Sequence, residues 1–249
     1  MMAACFNGCA LVFSLESLFL AACSADIESG PTVIQRFEHA GRGLAALILS
    51  LPRTTSGPRP TLCILCDDCE KGQMALRAGT FLANRSCKVV AYILSTKHHG
   101  EGFRTNLRMF SSAGGRIVRS LADLDDAYDY DLVVDAIADC DVLSDLRPKS
   151  AEDLAAGKWA TESGLSLLSI DAPLGIDHDT GAPTTSSPLR PDYLVCLGAV
   201  RPCAVVAGEA TSVVLLDVGV PPALWARVGV PDWEKDVFGL DFVVWLNRG

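Results

Sequence analysis

The chain has 249 residues, 49% of them apolar and 20% charged, enough to bury one substantial core without metal or disulfide staples, and this excludes disordered and collagen-like proteins. Thirty acidic against 21 basic residues leave a formal charge of -9. Such a field repels polyanions on average, so nucleic-acid binding would need a local basic patch, and no basic run exists.

The ten cysteines fall mostly inside apolar stretches, where Cys behaves as a small hydrophobe, and their usage points to a reducing, cytoplasmic compartment. The opening run "ALVFSLESLFLAACS" imitates a secretory leader, yet no Lys or Arg precedes Gln35 and Glu16 splits the run, so it is read as part of the protein. Nowhere do 18 apolar residues follow one another, and no membrane span is expected. Residues 1–13 are read as an extension and residues 14–249 as one domain.

Ser14 can cap a helix with Leu15, Leu18, Phe19 and Ala22 at helical spacing, and a second helical pattern runs from Val33 to Leu51, giving an N-terminal helical pair. After "PRTTSGPRP" comes the buried-type strand "TLCILC" (61–66). Helices and strands then alternate: a helix over 72–84, the strand 87–94, a helix over 102–113, "GRIVRS", and the strand "DLVVDAI" (131–137). A helix capped by Ser150, with Glu152 and Asp153 in its first turn, ends at Gly164 and feeds "LSLLSID" (165–171). Shorter strands are expected at "DYLVCLG", "SVVLLDVG" and "DFVVWL". The fold class is α/β, a doubly wound, mainly parallel sheet with helices on both faces, and ligands of such sheets lie at the carboxyl ends of the strands.

The first strand-to-helix turn reads Cys66, Asp67, Asp68, Cys69, Glu70, Lys71, Gly72, Gln73. One glycine among three carboxylates is a poor phosphate cradle, which argues against ordinary dinucleotide binding. Cys63, Cys66 and Cys69 form CxxCxxC, a possible thiolate set with Cys87 as a fourth member, but on a strand Cys63 and Cys66 face opposite sides and cannot close on one ion. His98 and His99 sit in a polar turn and read as solvated loop residues, apart from His39 and His178. The strand-end carboxylates Asp135, Asp171 and Asp217 remain, each able either to accept the N–H groups of its own loop or to face the cleft.

The ordered segments "FEHAGRGLAAL", "LCILCDDCEKG", "YDLVVDAI", "LLSIDAPLGIDHDTG", "RPDYLVCLGA" and "VVLLDVGVPPALW" resemble the YjeF N-terminal domain family over nearly the whole chain. That family implies a Rossmann-like domain and has two branches, epimerases that repair hydrated NADH and NADPH, and the dimerising domain of the enhancer-of-mRNA-decapping scaffold, a processing-body protein. The epimerase loop N-N-G-G-D-G corresponds here to Glu70, Lys71, Gly72, Gln73, Met74 and Ala75, and their D-x-P-S-G to Asp171, Ala172, Pro173, Leu174 and Gly175. In that branch the loop asparagine, the aspartate matching Asp135 and the serine matching Leu174 hold a monovalent cation; here Lys71 and Leu174 replace two of the three oxygen ligands. Their G-F-x-x-K-G stretch becomes "ADCDVLSD".

"FLANRSCKVV", "MFSSAGGRIVRSLADL" and the ending "DVGVPPALWARVGV" are instead similar to the decapping scaffold. The resemblance therefore implies a non-catalytic, homodimeric scaffold domain with protein partners in mRNA turnover, no metal and no cofactor, RNA not being indicated by the charge. The alternative is an NAD(P)H-hydrate epimerase or related enzyme taking an NAD(P)H-like nucleotide. Lys71, Gly72, Asp135 and Asp171 are the residues expected at the ligand site, with Lys71 forming an ion pair with the two carboxylates.

Overall fold

The computed structural model describes residues 30–53, 57–94, 99–125, 129–137, 150–207, 210–227 and 237–246, together with a two-residue pairing of Cys5–Phe6 with Cys9–Ala10. The helix expected from Ser14 and the "ADCDVLSD" stretch lie outside the described residues.

Eight strands form one sheet: β1 (Thr61–Cys66), β2 (Lys88–Ile93), β3 (Arg116–Val118), β4 (Leu132–Ala136), β5 (Ser166–Ile170), β6 (Tyr193–Leu197), β7 (Ser212–Leu216) and β8 (Val243–Trp245). Their spatial order is β8-β7-β6-β5-β4-β1-β2-β3, and every pair is parallel except β8 against β7. The chain thus starts in the middle, winds out through β2 and β3, and returns to build the other half from β4. The two halves diverge between β1 and β4, the next helix after β1 packing on one face of the sheet and the long helix after β4 on the other. This is the arrangement that puts the ligand crevice of doubly wound sheets at the carboxyl ends of these strands.

The strands read as continuous apolar runs because both faces are covered. On one face α1 (Val33–Ser50), α2 (Glu70–Ala83) and α3 (Glu101–Ser112) bury Phe37, Leu44, Leu76, Phe103 and Phe110 against Leu62, Ile64 and Cys66. On the other, α4 (Ala122–Asp125) and α5 (Ala151–Glu162) set Leu124, Ala156 and Ala160 against Cys63 and Leu65. Cys63 and Cys66 therefore do face opposite sides, and no metal-binding group of His, Cys, Asp or Glu occurs among the described residues. Short helices α6 (Pro202–Val206) and α7 (Pro222–Arg227) follow β6 and β7.

Local signals set the helix ends. Thr32 caps α1 in a capping box with Gln35, and Ser150 caps α5 in one with Asp153. Helix α2 begins at Glu70, two residues earlier than the glycine suggested, because the Cys69 side chain serves as its cap.

Candidate functional site

The crevice between β1 and β4 receives the turn after β1, the end of β4 and the turn after β5. In the first turn Asp67 is buried and its Oδ1 accepts the Asp68 N–H at 2.8 Å. Asp68 Oδ2 accepts the Gly100 N–H at 2.7 Å and lies 3.6 Å from His99, so His99 is a packed partner of that turn and not the solvated residue expected. The Gly72 N–H, which a phosphate would need, is donated to Cys69 Sγ at 3.3 Å. Gly72 is fixed by crowding: a Cβ there would lie 1.9 Å from the Asp67 carbonyl oxygen. The residues present do not fit a nucleotide phosphate at this helix end. Burial, reinforced by Cys69, Asp67 and Asp68, holds the Cys66 thiol well above its ordinary value, and burial likewise pushes Cys196 up to about 12; both thiols pack as small hydrophobes.

Asp135 is fully buried on β4, opposite Ser169 of β5 in the strand register. Its Oδ2 accepts the Ser169 hydroxyl and the Leu174 N–H, both at 2.9 Å, and its Oδ1 accepts the Ile137 N–H at 3.2 Å. Neutral donors thus surround it; the bonds from Ser169 and Leu174 tie β4 to β5 and the turn that follows it, and the bond from Ile137 closes the end of β4 itself.

Asp171 leaves β5 with φ +59, a left-handed conformation that aspartate tolerates better than most residues. Its Oδ1 accepts the Leu197 N–H at 3.0 Å and its Oδ2 pairs with Arg201 at 3.4 Å. Lys71 reaches neither carboxylate; its Nζ donates to the Ala172 carbonyl oxygen at 2.9 Å. The three-way ion pair expected of Lys71, Asp135 and Asp171 is not formed, because neutral donors already fill the acceptor sites of Asp135 and the buried Arg201 reaches Asp171 first. Asp217, the third strand-end carboxylate, lies away from this crevice and accepts the Gly219 N–H at 2.7 Å in its own loop.

Ser169 and Arg201 are the site residues that sequence reasoning missed. A hydroxyl in the middle of an apolar strand was the available signal for Ser169, two residues before Asp171. Nothing comparable marked Arg201, which precedes the proline that opens α6.

The model of the "YjeF-related protein N-terminus" family matches residues 34–203. An NAD(P)H-hydrate epimerase of Dehalogenimonas lykanthroporepellens is 29% identical over 84% of this chain and 82% of its own length. The enhancer of mRNA-decapping protein 3 of Gallus gallus is 29% identical, and that of Homo sapiens 28%, over 88% of this chain. The chain spans only 41% of the length of those two scaffold proteins. Among solved structures, yeast ynu0 superposes with a TM-score of 0.78 at 16% identity, covering 95% of this chain and 100% of the other, a likeness of fold. With its crevice at the divergence of the two half-sheets and the family pattern running from α1 to α6, the chain belongs to the YjeF-related N-terminal domain family.

Proposed function

We propose that this chain is a non-catalytic, homodimeric scaffold domain of the kind found in the enhancer of mRNA-decapping protein 3, acting with protein partners in cytoplasmic mRNA-decapping assemblies. The observation that carries the reading is the sealed state of Asp135: the carboxylate has no exposed surface and is engaged by three of the protein's own donors where the epimerase resemblance implies a ligand to a monovalent cation. Two further features support it. The Lys71 ammonium occupies the Ala172 carbonyl, so a charge fixed in the chain stands where the epimerase resemblance implies a mobile cation. Leu174 offers that place only a buried aliphatic side chain.

Light scattering of the purified chain at about 50 μM should give twice the monomer mass, as a stable interface of standard size requires. A monomer at that concentration removes the scaffold reading. The second reading, an NAD(P)H-hydrate epimerase, is favoured by the bacterial relative that aligns over most of both chains. Interconversion of the hydrated nicotinamide epimers above the buffer rate would establish it.

A further inference from the structure

On the sheet face that carries α1, the outward side of that helix floors a cavity of about 670 Å³ whose lining includes none of Lys71, Asp135 and Asp171. Gly43, Ala46 and Leu49 form the floor at helical spacing, Phe81 from the end of α2 stands on one side, and Phe242, 73% exposed, stands beside β8 on the other. From His39 to Leu49 the floor runs ten residues of helix, about 15 Å at the usual rise. That is the length of two to three turns of a second helix, and small floor residues let its backbone come close.

The rim is basic on a chain whose formal charge is -9. Arg42 and Arg85 both line the groove, against the single carboxylate of Asp217 among the described residues. Arg85 donates to the Phe81 carbonyl at 2.8 Å, while Arg42 makes no hydrogen bond or ion pair among the described residues. The other polar groups are engaged: His39 Nδ1 lies 3.2 Å from the Val218 carbonyl, and Asp217 holds the Gly219 N–H. A second copy of the same groove is a poor occupant, since a two-fold contact of groove on groove would set one concave surface against another and leave the aliphatic floor unfilled.

We infer that this groove docks an amphipathic helix of a partner protein, two to three turns long, with an aliphatic face toward Ala46 and Leu49 and carboxylates toward Arg42 and Arg85. The proposal does not depend on whether the crevice is catalytically silent.

The probe is a fluorescein-labelled helical peptide of about 15 residues with leucines on one face and glutamates on its flanks, followed by anisotropy against the full chain. Binding should fall in the micromolar range and weaken several-fold as salt rises from about 50 to 500 mM. Ala46→Trp, at an exposed position that leaves the core untouched, should raise Kd by at least about tenfold, and Arg42→Glu by about fivefold with a flatter salt response. A matched peptide with lysines for glutamates should bind about tenfold more weakly. Circular dichroism of each variant verifies folding. Absence of binding at about 500 μM, equal binding of the lysine peptide, or a Kd unmoved by Ala46→Trp in folded protein would overturn the inference.

Discussion

The crevice between β1 and β4 and the groove over α1 treat their charges in opposite ways. In the crevice, Asp135 is enclosed by three internal donors, Asp171 is held by Leu197 and Arg201, and Lys71 rests on a carbonyl oxygen. In the groove, apolar side chains stay exposed and Arg42 faces solvent without a partner among the described residues. The difference teaches that a fold's habitual ligand position predicts where a pocket is topologically possible, whereas the state of each polar atom decides whether it is available.

The largest effect should come from opening the crevice at its centre. Asp135→Ala strands the Ser169 hydroxyl and two buried N–H groups, so it should cost about 4 kcal/mol and lower Tm by about 10 °C. A shift of only a degree or two would mean that the carboxylate is not the structural centre of that region. Next is Gly72→Ala, whose Cβ would meet the Asp67 carbonyl at 1.9 Å; denaturant unfolding should show a loss of about 2 to 3 kcal/mol, with the turn after β1 displaced.

A smaller change separates two accounts of Lys71. Lys71→Met removes one hydrogen bond to a carbonyl oxygen and should cost about 1 kcal/mol. Combined with Asp135→Asn, the two losses should add to within about 0.5 kcal/mol. Recovery in the double variant would restore the ion pair that the geometry rejects.

The smallest effect is on acid stability. At Asp177, in the turn after β5, burial opposes ionisation, but the Thr180 hydroxyl and the N–H groups of Thr180 and Asp179 outweigh it and hold the carboxyl below its ordinary range. A folded-state value below the unfolded one contributes stability above the unfolded value, near pH 4, and loses it as pH falls through the folded value. Asp177→Asn should therefore lower Tm slightly at pH 7 and less at pH 3; equal shifts at both would exclude the linkage.

How much of this was legible in the sequence depended on the range of the interaction. Strands such as β1, β4 and β5 lay where apolar runs predicted, and the Ser150 cap was readable, because those signals are local. The pairing of Asp135 with Ser169 needed the strand order and register, which place residues 34 positions apart opposite each other. Charge alone suggested that Lys71 would seek the two aspartates; the strand-end carbonyl of Ala172 was closer, and backbone acceptors carry no sequence mark. The groove was less legible still, since α1 provides its floor but Phe81 and Phe242 come from distant segments.

The claim that the crevice is closed to catalysis is tested most directly by incubating the purified chain with a single epimer of hydrated NADH and following the other epimer by chromatography, with and without potassium. The sealed Asp135 and the fixed Lys71 ammonium predict conversion at the buffer rate under both conditions. Turnover above that rate, above all one that rises with potassium, would contradict the account.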